Sequence, residues 1–223
     1  SEFIERRIRA GTFRLVEGSL SGRISKIARF GEGDNASVLH INGTADQAVI
    51  QYGEQAPTFR NIKGVIELKG RHFTLTNTTG IFGNAPFSMS GAITEYATTG
   101  VPSSYPFTMR ITPTPQEVAW LANLSGVSEL GFKGTNSVLH LQGDGPISAY
   151  RMSGEWQLAS VAYEYPHLAR KPAGMPSSLS FSAVVDKDQT KFTSVSYQLA
   201  PLRISGSGLF RYADTTPYLA FNL

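Results

Sequence analysis

Apolar and polar residues alternate with a period of two along almost the whole chain, in short runs separated by Gly, Asn, Pro and Ser. The alternation predicts strands at 12–16, 37–41, 65–68, 72–76, 87–93, 107–111, 137–141, 155–161, 179–185, 192–197, 202–204, 208–212 and 218–223. Asn42-Gly43 reads as the turn that closes the second of these. So many short strands with turn residues between them make an antiparallel, all-β protein.

One segment breaks the period. In Thr114-Pro115-Gln116-Glu117, Thr stands at the N-cap, Pro at the first helical position and Glu three residues after the cap, a capping box. Val118, Trp120 and Leu121 supply apolar contacts, and the helix, one or two turns long, ends near Ser125-Gly126.

The chain also repeats itself. Ser37-Val38-Leu39-His40 recurs as Ser137-Val138-Leu139-His140, and the segment 85–91, Ala-Pro-Phe-Ser-Met-Ser-Gly, resembles 200–206, Ala-Pro-Leu-Arg-Ile-Ser-Gly. Each later match is preceded by a Phe-Thr pair (Phe73, Phe192) and followed by a Tyr-Ala pair (Tyr96, Tyr212), in the same order in both halves. This divides the chain into basic leading strands at 1–29 that continue from a preceding segment, a β-repeat unit at 30–112, a helical connector at 113–131 and a second β-repeat unit at 132–223. Strand units that stack side by side extend a sheet in one dimension, which suits a long surface or groove better than a compact catalytic pocket.

Composition narrows the function classes. Of 223 residues 41% are hydrophobic and 17% charged, with 22 Gly and 12 Pro, a balance that excludes coiled coil and disorder. With no Cys there are no disulfides, thiolate nucleophiles or zinc-cysteine sites. No run approaches the roughly 18 apolar residues of a membrane helix, and no signal-peptide pattern is present. The chain opens on Ser1-Glu2-Phe3 rather than Met, as a processed form would, or an internal fragment behind an expression-vector scar. Residues 1–29 hold seven basic groups against three acidic ones, within a net charge of +3. Phosphate binding by that stretch would need interleaved aromatics, but Phe3, Phe13 and Phe30 are sparse. A solvated strand face fits better, and no nucleic-acid partner is expected.

The candidate chemistry is thin. His40, His72, His140 and His167 show no metal-ligand spacing, so no metal or cofactor is expected. The Gly31-Glu-Gly33-Asp stretch lacks the third Gly and the following helix of a dinucleotide loop. Asp186 and Asp188, with Lys187 between them and Gln189 after, read as a solvated hairpin turn rather than a catalytic carboxylate pair. No GxSxG, P-loop or SxxK pattern is present, and the protein is expected not to be an enzyme. The sequons at Asn35, Asn42, Asn77 and Asn123 would matter only in a eukaryotic secretory setting. Tyr150, Trp156, Tyr163, Tyr165 and His167 form an aromatic-rich stretch; its four rings, Tyr150, Trp156, Tyr163 and Tyr165, could stack on sugars, which leaves a glycan-binding or protein-interaction β-sandwich as the alternative.

The stretch 73–93, a Phe-Thr strand, a Gly-rich turn, a small-Pro start and a second strand ending in Ser-Gly, resembles the repeats of AsmA-like bacterial envelope proteins, the TamB and YhdP types among them. Residues 18–22 and 202–208 share the style. The resemblance implies a strongly curved, taco-like antiparallel sheet whose apolar interior carries phospholipid across the periplasm between inner and outer membranes. It also implies an inner-membrane anchor lying in parts absent from this chain. On the alternating strands, the residues that would line such a groove are Phe73, Leu75, Phe87, Met89, Ile93, Phe107, Met109, Ile111, Leu179, Phe181, Leu202 and Ile204. Acyl chains would be the partner. A dry sandwich core would demand the same alternation, so the sequence leaves groove and core as alternatives. The pattern also leaves the oligomeric state open.

Overall fold

A computed structural model of the chain describes residues 7–29, 33–51, 53–54, 56–95, 98, 100–211 and 218–222, with backbone alone at 33, 34, 36, 218, 219 and 221. Phe3, Phe30, Tyr96, Tyr212 and the start of the Gly31 loop lie outside these residues. The protein is all-β: 61% of it is strand, mostly antiparallel, and 11% is helix.

The strands are β1 (Ile8–Leu20), β2 (Leu39–Ile50), β3 (Phe59–Lys69), β4 (His72–Phe82), β5 (Ala85–Ile93), β6 (Phe107–Ile111), β7 (Gly131–Lys133), β8 (Val138–Asp144), β9 (Tyr150–Gln157), β10 (Ala162–Tyr165), β11 (Ala169–Lys171), β12 (Ser177–Val185), β13 (Gln189–Leu199), β14 (Leu202–Arg211) and β15 (Tyr218–Asn222). Hydrogen-bonded neighbours follow chain order, β1-β2-β3-β4-β5-β6-β8-β9-β12-β13-β14-β15, while β7, β10 and β11 form a separate sheet in the order β11-β10-β7. Among the described residues there are two α-helices, α1 (Ile24–Ile27) and α2 (Pro115–Leu124), and two 3-10 segments, Gly33–Val38 and Ile147–Ala149. The chain falls into two compact units, one of residues 1–82, 88–108 and 144–146, the other of 83–87, 109–143 and 147–223.

Several local expectations need correction. The leading basic segment is one strand followed by the one-turn helix α1, so the single expected helix has a companion that no alternation announces. Asn42-Gly43 does not turn: both residues sit inside β2. The expected Gly-rich turn after Thr79 is strand as far as Phe82. The segments 202–204 and 208–212 join into one strand, β14. Strand 155–161 stops at Gln157, and β7, β10 and β11, of three or four residues each, are too short for a period of two to register.

In the first unit, regular pairing is interrupted along a line. Gln47, Asn61 and Asn77 take positive φ of 52°, 53° and 50°, and the β1–β2, β2–β3 and β3–β4 registers each shift beside them. Asn tolerates this left-handed region better than most side chains. Each bulge adds one unpaired residue, bends its strand and raises the local twist. Bulges on three successive strands therefore bend neighbouring strands at the same level.

Two close approaches explain glycines inside strands. A Cβ on Gly43 would lie 2.8 Å from the Phe13 ring and 2.8 Å from the Arg14 carbonyl. A Cβ on Gly154 would lie 2.7 Å from the Phe181 ring, its cross-strand neighbour, and 2.9 Å from Leu141. An aromatic ring laid over a strand glycine covers the exposed backbone and fixes register.

The helix α2 spans ten residues, about three turns rather than one or two. Its capping box is formed as predicted, with the Thr114 amide donating to Glu117 Oε2 at 2.9 Å. Glu117 is buried and reaches further than its own helix, because its Oε1 accepts from the Asn84 amide at 2.7 Å and so ties the β4–β5 turn to the helix start. Val118 and Ala122 form the packed side of α2, whereas Leu121 is exposed.

Gly154→Val is expected to lower stability by about 2–3 kcal/mol, because the added carbons overlap a ring held in place on both sides. Urea unfolding measures this, and the cost should shrink when Phe181→Ala is combined with it.

Candidate functional site

In the first unit the register decides which side chains share a face. Leu15, Gly43, Ile66 and Leu75 are successive cross-strand neighbours, and so are Gly18, Ile41, Leu68 and Phe73. Phe13 and Ala45 continue the same side. The opposite side carries Arg14, Thr44, Val65 and Thr76 in one row and Ser19, His40, Lys69 and His72 in another. One face of β1–β4 is thus apolar across four strands and the other is mostly polar.

That apolar face is not buried. Phe13 and Leu15 are 56% and 59% exposed, and Ile41, Ile66, Leu68, Phe73 and Leu75 all stay partly accessible; in these rows only Gly43 is buried. Apolar residues at the centre of a two-layer sandwich fall below such exposures because a second sheet lies about 10 Å above them. Of the sequence candidates, Phe73 and Leu75 lie here. The structure adds Phe13, Leu15, Ile41, Ile66 and Leu68, whose alternation was visible in 12–16, 37–41 and 65–68.

The candidates on β5 and β6 follow the alternation too. Phe87, Met89 and Ile93 occupy alternate positions, as do Phe107, Met109 and Ile111. Phe87 and Ile111 are buried, while Met89, Ile93, Phe107 and Met109 are partly accessible.

The second unit pairs its apolar residues in the same way but covers part of them. Trp156, Leu179, Tyr197 and Ile204 are successive neighbours across β9, β12, β13 and β14, and Gly154, Phe181, Val195 and Gly206 form the next row. Over the Trp156 row lies a second layer made of α2 and the small sheet. Val118, Phe132, Leu158 and Val161 form its buried cluster, with Trp156, Tyr163 and Leu179 packed against it. Phe132 and Trp156 stack at 5.6 Å between centroids. Candidates Leu179 and Phe181 lie on this face, and Leu202 and Ile204 stand at its edge, 50% and 37% exposed.

The second layer is pinned by a buried cation. Lys171 on β11 is 1% exposed, and its Nζ donates to the carbonyls of Leu158 (2.5 Å), Ala159 (3.1 Å) and Val161 (2.6 Å). The Nζ also sits 5.6 Å from the centre of the Tyr163 ring. Three carbonyls around one ammonium satisfy all its protons and hold the 158–161 turn closed. Burial lowers the Lys171 pKa from its ordinary 10.5. Beside it Tyr163 and Tyr197 hydrogen-bond through their hydroxyls, and burial followed by this contact pushes the Tyr197 pKa far above its ordinary 10.0.

The tyrosine platform is largely consumed by these contacts. Trp156 and Tyr163 belong to the packed layer, Tyr165 stands on β10, and Tyr150 is part-buried on β9 at the far end of the strand from Trp156. The polar candidates do not converge. His40 pairs with Glu67 at 3.1 Å, while His72, His140 and His167 are exposed and separate. Asp186 Oδ1 accepts from the Asp188 and Gln189 amides at 2.8 and 2.9 Å, the solvated turn the spacing predicted, and these bonds lower its pKa. Among the described residues no group of three His, Cys, Asp or Glu could hold a metal.

No family model, curated protein or solved structure matches this chain.

Lys171→Met removes a donor from three carbonyls, two of which, Leu158 and Ala159, keep the Val161 and Gly174 amides, and is expected to cost about 2–4 kcal/mol, read as a lower urea midpoint with a red shift of Trp156 emission. The pH dependence has a definite sign. Because the folded amine pKa lies below 10.5, the unfolded chain binds more protons in the window beneath 10.5, and wild-type stability from this group rises with pH there. The gap between wild type and Lys171→Met should therefore widen as pH rises towards 10.5. Above about pH 10 Tyr197 acts in the opposite sense, because only the unfolded chain loses its proton.

Proposed function

We propose that this chain is a non-catalytic, lipid-binding segment of an AsmA-like envelope protein, contributing an apolar groove through which phospholipid passes between the inner and outer membranes. In this reading the full protein is periplasmic and anchored in the inner membrane, and the sheet curves so that its apolar rows face the acyl chains. The observation that carries the proposal is the apolar face of β1–β4, continuous over four strands and left partly accessible, with Phe13 and Leu15 more than half exposed. Contiguous apolar surface of this kind marks a binding surface in a water-soluble setting. Each acyl CH2 transferred from water onto it gains about 0.8 kcal/mol.

The bulges at Gln47, Asn61 and Asn77 support the curvature, since unpaired residues on three neighbouring strands bend a sheet at one level. The residues on the face are aliphatic or phenyl, with no converging polar group, which favours a chain-like apolar ligand over a directional one. Sugar stacking draws less support, because Trp156 and Tyr163 are packed against Phe132 and Tyr197.

The test uses residues that can change without emptying a core. Phe87 is buried, so a charge there would unfold its surroundings. Leu15→Asp with Leu75→Asp places two carboxylates on the accessible face. Phospholipid co-purifying from bacteria without detergent, measured by native mass spectrometry and lipid extraction, should fall at least about fivefold while circular dichroism is unchanged. A wild-type protein that carries no lipid would overturn the proposal.

A further inference from the structure

The last strands of the second unit hold a concavity of about 1070 Å3 that reaches Phe192, the ring packed edge-on against Phe181 of the apolar row. Most of its lining is on one face of β13, β14 and β15, where Gln189 pairs with Arg211, Lys191 with Leu209, Leu209 with Ala220 and Ser207 with Asn222. Lys191 and Arg211 are diagonal neighbours on that face, a spacing of roughly 7–8 Å between backbones. Leu209 and Ala220 supply an apolar floor beside the two cations, and no carboxylate is among the described lining.

Neither cation is neutralised within the described residues. Lys191 and Arg211 take part in no ion pair there. The carboxylates of the adjoining turn are already engaged, Asp186 by two backbone amides and Asp188 by Lys187 at 3.9 Å. Lys191 and Arg211 are both exposed on that face, and an anion between them would lower their mutual repulsion. A guanidinium and an ammonium on one strand face suit a phosphate, one offering a planar fork and the other a point charge. The amides of Gln189 and Asn222 add donors for the remaining oxygens.

We propose that this concavity is a head-group site for an anionic phospholipid, with the phosphate between Lys191 and Arg211 and the glycerol end of the acyl chains on Leu209 and Ala220. This rests on the lipid-binding reading above and adds a charge preference to it: anionic lipid is retained, zwitterionic lipid is not.

The test is calorimetric titration of the whole chain with short-chain phosphatidylglycerol, short-chain phosphatidylcholine and inorganic phosphate, each below its micellar concentration. Phosphatidylglycerol should bind about tenfold more tightly than phosphatidylcholine, and Lys191→Gln with Arg211→Gln should erase that difference without weakening phosphatidylcholine. Exchanging the cations, Lys191→Arg with Arg211→Lys, should keep most of the preference, which separates charge from misfolding. Equal affinity for both lipids in the wild type would overturn the head-group site while leaving the lipid-binding reading intact. Binding of neither lipid would overturn both. Inorganic phosphate binding as tightly as phosphatidylglycerol would identify a plain anion site and reject the lipid assignment.

Discussion

A single β-layer can bury a face only against something that lies on it, and this constraint organises the protein. Strands in a meander satisfy their backbone groups sideways, through their neighbours, so hydrogen bonding is complete before either face is covered. What happens to the apolar side chains is then a separate matter. In the second unit α2 and the β11-β10-β7 sheet lie over the Trp156 row and exclude water from Val118, Phe132 and Val161. In the first unit the Leu15 and Ile41 rows keep access to solvent.

The covered face needs a polar device to hold its cover. The small sheet has strands of three or four residues, too few for strong pairing, and its loops must turn within the layer. Their carbonyls point inward, where an unpaired acceptor is costly. Lys171 meets that cost with three hydrogen bonds from one side chain, and Glu117 does the same for donors at the start of α2 and in the β4–β5 turn. Both are buried charges whose partners are mainly backbone, so each fixes chain path more than it links side chains.

The sequence made the strands legible and the layers illegible, for one physical reason. Alternation is a local property of a strand, and every predicted strand that lies wholly within the described residues has a counterpart in the sheet. Register is non-local. Nothing near Phe13 shows that Leu15 will stand in line with Ile66 and Leu75, two and three strands away. Glycine misled for the same reason: Asn42-Gly43 has the composition of a turn, yet Gly43 is small because the Phe13 ring crosses it from the next strand. The capping box was readable because all its partners lie within four residues. Lys171 was not, because an isolated Lys in a polar stretch gives no sign that three carbonyls ten or more residues away will close around it. The cationic concavity was equally hidden, since Lys191 and Arg211 are brought together only by the β13–β14 register.

The same separation of ladder from face bears on how such a surface would work as a conduit. A site that holds a ligand by directional bonds creates a deep minimum, and escape slows tenfold for each 1.4 kcal/mol of depth. Rows of aliphatic and phenyl groups repeated at the strand spacing of about 4.8 Å offer an acyl chain nearly the same contact at each step, so the free energy along the rows varies little. Glycines beneath aromatic rings keep the backbone from protruding into that path. Selectivity, where it exists, must then come from the few positions that break this uniformity. In this protein the cations Lys191 and Arg211 stand on the strand face opposite the Phe181 row.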